Sequence, residues 1–280
     1  MTECIIDGVI DTLKLLPYLL ITFIIIEYIE HKLSKKNQKV LVENEKYGPI
    51  LGGILGAIPQ CGFSSMAANL FSGRVITMGT LIAVFLSTSD EMLPIMISEH
   101  ADILLLLKII GFKIIVGIII GFIIDIFYRK KHNKDNIDIS HICEHDHCDC
   151  KHNGIIKSSI KHTIKIGLFI LIVNLLLNII IFKVGEDNLS NLLLHKNIFT
   201  YFIASIIGLI PNCASSVLIT ELYLSKLITI GTLLSGLLTG SGLGILLLFK
   251  TNNKLKENLT IVSIIYFVGV IIGMLVDLFI

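Results

Sequence analysis

The 280-residue chain alternates long apolar runs with short polar stretches. The runs cover 5–29, 48–71, 75–98, 103–127, 160–183, 198–224, 226–249 and 259–280. A helix crosses a hydrocarbon core of roughly 30 Å with about 20 apolar residues. The pattern therefore predicts an all-α polytopic membrane protein. Four runs carry polar or helix-breaking residues near their centres: "GAIPQCGFSS" from Gly56, "STSDEMLP" from Ser87, "GLIPNCASSV" from Gly208 and "TGSGLG" from Thr239. Proline removes a backbone donor and clashes with the preceding turn, and glycine permits backbone angles that other residues resist. These runs are expected to be discontinuous helices.

A shift of 152 residues lays the second half of the chain on the first without a gap. Pro59 pairs with Pro211, Cys61 with Cys213 and Ser64 with Ser216; "ITMGTL" meets "ITIGTL". Gly117, Gly121, Asp125 and Phe127 meet Gly269, Gly273, Asp277 and Phe279. Chance agreement among leucines and isoleucines would not select prolines, cysteines, glycines and aspartates, so the chain is read as an internal repeat.

Charge sets the expected topology. Segments 31–47, 128–161 and 250–256 are basic, whereas 98–102 and 184–191 are acidic or poor in Lys and Arg; positive charge marks the cytoplasmic side. Residues 48–98 must then cross an odd number of times. The simplest solution makes 48–71 a re-entrant hairpin turning at "PQCG" and 75–98 a crossing, with 198–224 turning likewise at "PNCA". Ten residues of helix climb about 15 Å, half of the core. Each half has three crossings and a re-entrant or broken P-x-C hairpin, 8–10 helical segments in all, and the halves run in opposite orientation. Such inverted-topology repeats are common in secondary transporters that bind substrate at the midplane. The expected division is a first membrane repeat over 1–128, a cytoplasmic His/Cys-rich linker over 129–158 and a second repeat over 159–280. The N-terminus is expected outside, as an uncleaved first span without a basic leader or a small-residue cleavage site. The alternative is that Pro59 and Pro211 only kink full-length helices.

Composition agrees and narrows the function classes. The chain is 54% hydrophobic and 16% charged, with a mean hydropathy of +0.83, against about a quarter charged residues in soluble domains. A net charge of +1 gives no reason to expect nucleic acid as a partner. There is no G-x-x-x-x-G-K-[ST] motif, so uphill transport would need an ion gradient or a separate subunit. The six cysteines do not read as a disulfide framework, because two lie in apolar runs and three cluster with histidines.

The candidate substrate pathway comprises Gln60, Cys61 and Ser64 at the first tip, Asn212, Cys213 and Ser216 at the second, and Ser89, Asp90, Glu91 and Ser241 at the broken crossings. Ser65 and Ser215 flank the tips. Asp90 and Glu91 are the sharpest signal: a carboxylate inside a membrane costs about 3 kcal/mol on the mild insertion scales and marks an ion path. Their repeat partners are Gly242 and Leu243, so the acids exist in one half only. Lys113, whose partner is Ile265, is either a charge partner of the acids, a substitute for a cation, or a snorkelling side chain. Asp125, Asp277 and Glu27 are expected to be interfacial anchors. The repeat-equivalent Asn69 and Glu221 line a vestibule or face solvent, and Asn174 and Asn178 are expected to be interhelical glue.

The central "SHICEHDHCDCKH" places His141, Cys143, His145, His147, Cys148, Cys150 and His152 within a dozen residues, interleaved with Glu144, Asp146 and Asp149. That density of imidazole and thiolate ligands reads as metal binding. The spacing fits no closed zinc finger, so a mobile collecting site in the reducing cytosol is expected.

The two P-x-C tips, the Ser89-Asp90-Glu91 triplet and the His/Cys-rich loop between halves resemble the ten-helix heavy-metal exporter family. That family is related to bacterial arsenic efflux permeases, and some members are labelled manganese transporters. The likeness covers nearly the whole chain. It implies export of a metal or metalloid across the bacterial inner membrane, and ten helices if both hairpin arms are counted.

The combined expectation is a secondary-active exporter in the lipid bilayer, driven by a proton gradient, with the transported ion as its ligand and no permanently bound cofactor; assembly into a homo-oligomer is left open. Thiolates favour arsenite or zinc-like ions, whereas carboxylate, amide and hydroxyl oxygens favour Mn²⁺. A metal-responsive membrane sensor or accessory subunit acting through the His/Cys loop is the alternative. An intramembrane enzyme is disfavoured by the lack of G-x-G-D and G-x-S-G motifs.

Overall fold

A computed structural model describes residues 47–58, 61–89, 92–132 and 198–279, with isolated helical positions within 13–24 and 159–175. The central His/Cys cluster, Pro59, Gln60, Asp90, Glu91, Glu27, Asn174 and Asn178 lie outside the described residues. Ten helices are continuous among the described residues: α1 (Gly48–Gly56), α2 (Cys61–Ser72), α3 (Met78–Ser87), α4 (Met92–Ser98), α5 (Ile103–His132), α6 (Phe199–Gly208), α7 (Cys213–Leu224), α8 (Ile230–Thr239), α9 (Gly244–Thr251) and α10 (Leu255–Phe279). No strand occurs among them. The five elements α1–α5 recur in order as α6–α10.

The interruptions fall where the sequence placed them. Helix α3 stops at the C-cap Thr88, whose ψ of 127° is extended, and α8 stops at Gly240 with ψ of 88°. Each is ten residues long, about 15 Å, and so spans only half of a bilayer core. The cysteines lie differently from expectation. Cys61 and Cys213 open α2 and α7 instead of sitting within the turns. Among the described residues, three stretches are long and apolar enough to cross a membrane: Ile103–Tyr128, Leu255–Phe279 and Ile230–Thr251. The last includes the break at Gly240–Leu243.

Small residues govern the packing. Helix α3 lies against both α1 and α5, and α8 against both α6 and α10. A Cβ on Gly52 would lie 2.8 Å from the Thr80 carbonyl oxygen, one on Gly117 2.8 Å from that of Ala83, and one on Gly121 2.6 Å from that of Gly79. In the second half a Cβ on Gly269 would lie 2.9 Å from the Ser235 oxygen and one on Gly273 2.5 Å from that of Gly231. Lipid provides no hydrophobic force between helices, so association relies on such backbone-close contacts. Helix α3 is buried along its whole length and α8 from Gly231 onward: Leu81, Ile82, Phe85 and Leu86 of α3 and Leu233 and Leu238 of α8 are inaccessible. By contrast α5 exposes Ile115, Ile119, Ile126 and Phe127, and α10 exposes Phe267, Ile271 and Leu278. Large apolar side chains outside and polar ones inside suit a membrane protein.

The halves pack by exchange. Helix α2 packs against α9, and α7 against α4. Ser72 and Thr251 hydroxyls meet at 2.6 Å. Arg74 Nη1 pairs with Glu257 Oε2 at 2.9 Å.

Candidate functional site: the paired helix breaks

The broken crossing α3 is held at both ends by one neighbour. At its N-terminus the Gly79 N–H donates to Asp125 Oδ1 at 2.9 Å, and Thr77 Oγ1 donates to Asp125 Oδ2 at 2.8 Å. Thr77 also accepts from the Thr80 N–H as N-cap. Asp125 is therefore not the interfacial anchor expected; its carboxylate turns inward onto a helix N-terminus, where the macrodipole favours negative charge. The second half repeats this geometry. Gly231 N–H donates to Asp277 Oδ1 at 2.8 Å, Thr229 Oγ1 donates to Oδ2, and the Tyr201 hydroxyl adds a bond to Oδ2 at 2.8 Å. Asp125→Ala is expected to lower stability by about 2 kcal/mol, the scale of hydrogen bonds to a charged group. Thermal melting of the purified protein in detergent checks this.

At the other end of α3 lies Lys113 of α5. Its side chain is 0% exposed. Nζ donates to the Thr88 carbonyl, the C-cap of α3, and at 2.9 Å to the Leu237 carbonyl in the last turn of α8. Snorkelling is thereby ruled out, since the ammonium is directed into the protein. The last carbonyls of a helix have no partner within it and carry the negative end of the macrodipole. One ammonium thus serves the C-terminal ends of both broken helices. The repeat-equivalent residue, Ile265, is buried and apolar, so the second half offers no cation of its own at that position.

Other predicted residues gather around the same breaks. Ser64 is buried against the start of α9: a Cβ on Gly244 would lie 2.9 Å from Ser64 Cβ. Ser216 Oγ would lie 3.3 Å from a Cβ on Gly240. Helices α2 and α7, which follow the two P-x-C motifs, therefore both meet the second break, which holds Ser241. Ser241 is buried, and its Oγ has no hydrogen-bond partner among the described residues. Ser89 is buried and donates to the Ser87 carbonyl at 3.1 Å. Asn212 is buried, and its carbonyl accepts from Ser215 Oγ at 2.8 Å. Cys61 and Cys213 are placed by their backbones at the starts of α2 and α7; their side chains lie outside the described residues, as do Gln60, Asp90, Glu91 and the loop residues His141 to His152. No group of three or more His, Cys, Asp or Glu side chains forms a metal site among the described residues.

Two features were not read from the sequence. On α2, Ser65 Oγ and both amide atoms of Asn69 are buried without hydrogen-bond partners among the described residues, whereas Glu221 at the position equivalent to Asn69 is exposed. The paired expectation for Asn69 and Glu221 thus splits. The aspartate clasp was also missed. Its signal was present, because "T-x-G-T" followed by Asp at a fixed distance occurs in both halves.

A profile for a family described as "Putative, 10TM heavy-metal exporter" matches residues 2–184 and 153–280. No curated protein and no solved structure matches the chain. The two matches together span nearly the whole sequence. By the extent of that match, the chain belongs to this ten-helix heavy-metal exporter family.

Proposed function

We propose that the protein is a secondary-active exporter, moving a heavy-metal cation or metalloid of the manganese or arsenic class out of the bacterial cytoplasm at the expense of a proton gradient. The observation that carries this reading is the meeting of two half-length helices at a buried lysine, with α2 and α7, the helices that follow the P-x-C motifs, packed onto one of the breaks. Interrupted helices at membrane depth are tolerated only where protein or a wet cavity receives their backbone groups, and transporters use such sites for substrate. The reciprocal packing of α2 on α9 and α7 on α4 fits two repeats of opposite orientation, and the basic segments 31–47, 128–161 and 250–256 favour an outside N-terminus with the His/Cys loop in the cytoplasm.

In this reading the loop residues His141, Cys143, His145, His147, Cys148, Cys150 and His152 collect the ion. Asp90 and Glu91 receive it or exchange protons at the first break, and Cys61, Cys213, Ser64, Ser216 and Ser241 line its path. The test is uptake into everted membrane vesicles of Mn²⁺, Zn²⁺, Co²⁺, Cd²⁺ and arsenite, with and without a proton gradient. Gradient-dependent accumulation of at least one is expected. Failure of all five to move would reject the export reading.

A further inference from the structure

Lys113 deserves a closer electrostatic account. The C-terminal ends of α3 and α8 carry the negative ends of their helix dipoles, and both ends meet at the Lys113 ammonium. The ammonium bridges neutral carbonyl oxygens from both halves of the chain, Thr88 and Leu237, inside a fully buried environment. Carbonyl oxygens that surround a single positive charge are the ligand set that proteins also offer to alkali-metal ions.

We propose that the Lys113 ammonium is a tethered cation occupying a monovalent-cation site built by the C-terminal carbonyls of α3 and α8, and that a chain lacking the ammonium takes a free Na⁺ or K⁺ in its place. The wild-type site is then permanently filled, and the two broken helices stay joined whatever the salt. The substitute is monovalent because the ammonium it replaces carries a single positive charge. Replacement of Lys113 by alanine removes three methylenes and the ammonium, room for an ion with a water, whose own volume is about 30 Å³. Replacement by methionine fills much of that space without charge. The inference stands apart from the export reading, because it concerns binding and stability.

The experiment compares wild type, Lys113→Ala, Lys113→Met and Lys113→Arg, purified in detergent, by thermal melting in choline, sodium and potassium chloride. Lys113→Ala is expected to melt about 5 °C or more higher in a saturating alkali salt than in choline, as binding to the folded state alone requires. Wild type and Lys113→Arg are expected to show no difference among the salts, and Lys113→Met to be destabilised in all three. Equal melting of Lys113→Ala in the three salts overturns the proposal, as does wild-type stability of Lys113→Met. If Lys113→Ala is not monodisperse in choline, its recovery in sodium or potassium decides in favour, and its loss in all three salts decides against. A salt response without metal transport in vesicles would reject export and leave this site standing.

Discussion

Gly79→Val is expected to abolish recovery of folded protein, while Gly111→Ala is expected to leave the protein intact. A Cβ on Gly79 would overlap the Gly121 carbonyl oxygen and lie 2.5 Å from the Asp125 Cγ. The first obstacle is backbone of a long crossing helix, and the second is the carboxylate that caps α3. Neither yields by a rotamer change. Overpacking commonly costs 1–3 kcal/mol. Here it also breaks the cap, so a loss above about 4 kcal/mol is expected, in the range that unfolds marginal proteins. A Cβ on Gly111 meets nothing within 4 Å, and alanine favours the helix by up to about 1 kcal/mol. Size-exclusion profiles and melting curves of detergent extracts separate the two. A monodisperse Gly79→Val protein melting near wild type would show that α3 and α5 are not held by this contact.

The second large effect concerns transport. Asp90→Asn combined with Glu91→Gln is expected to reduce gradient-driven metal movement by at least about 100-fold, the upper end for lost metal-site contacts, without lowering the melting temperature. The two acids fall between Ser89 and Met92, where α3 has ended and α4 begins. Carboxylates retained at such depth cost stability. Their neutralisation therefore spares the fold and removes the charge that the transported ion or proton needs. Vesicle uptake beside melting curves gives both readouts, and unchanged uptake would remove the carboxylates from the mechanism.

Particular residues show why some of this was legible along the chain. Thr77 and Gly79 recur as Thr229 and Gly231, and Asp125 as Asp277. The recurrence exposed the repeat, but it did not disclose that each aspartate reaches back to the threonine and glycine of its own half. Those residues are 46 to 48 positions away. A carboxylate near the end of an apolar run has the same local signature whether it faces headgroups or caps a neighbouring helix. Lys113 posed the same ambiguity, since snorkelling and burial differ only in where the four-carbon stem finds room.

Hydrophobic periodicity, proline and glycine placement, and the 152-residue self-similarity suffice for the helical class, the internal repeat and the breaks, while the family is indicated by the resemblance of the P-x-C tips, the Ser89-Asp90-Glu91 triplet and the His/Cys-rich loop. These properties are local or self-referential, because the length of an apolar run and the intolerance of a helix for proline act within one segment. The closeness of α3 and α5, the inward turn of Asp125 and Asp277, the burial of Asn69 apart from the exposed Glu221, and the sharing of Lys113 between Thr88 and Leu237 come only from three-dimensional packing. The Leu237 contact joins residues 124 positions apart. Such a bond depends on two helices from different halves ending at one point, and no stretch of sequence around either residue contains that information.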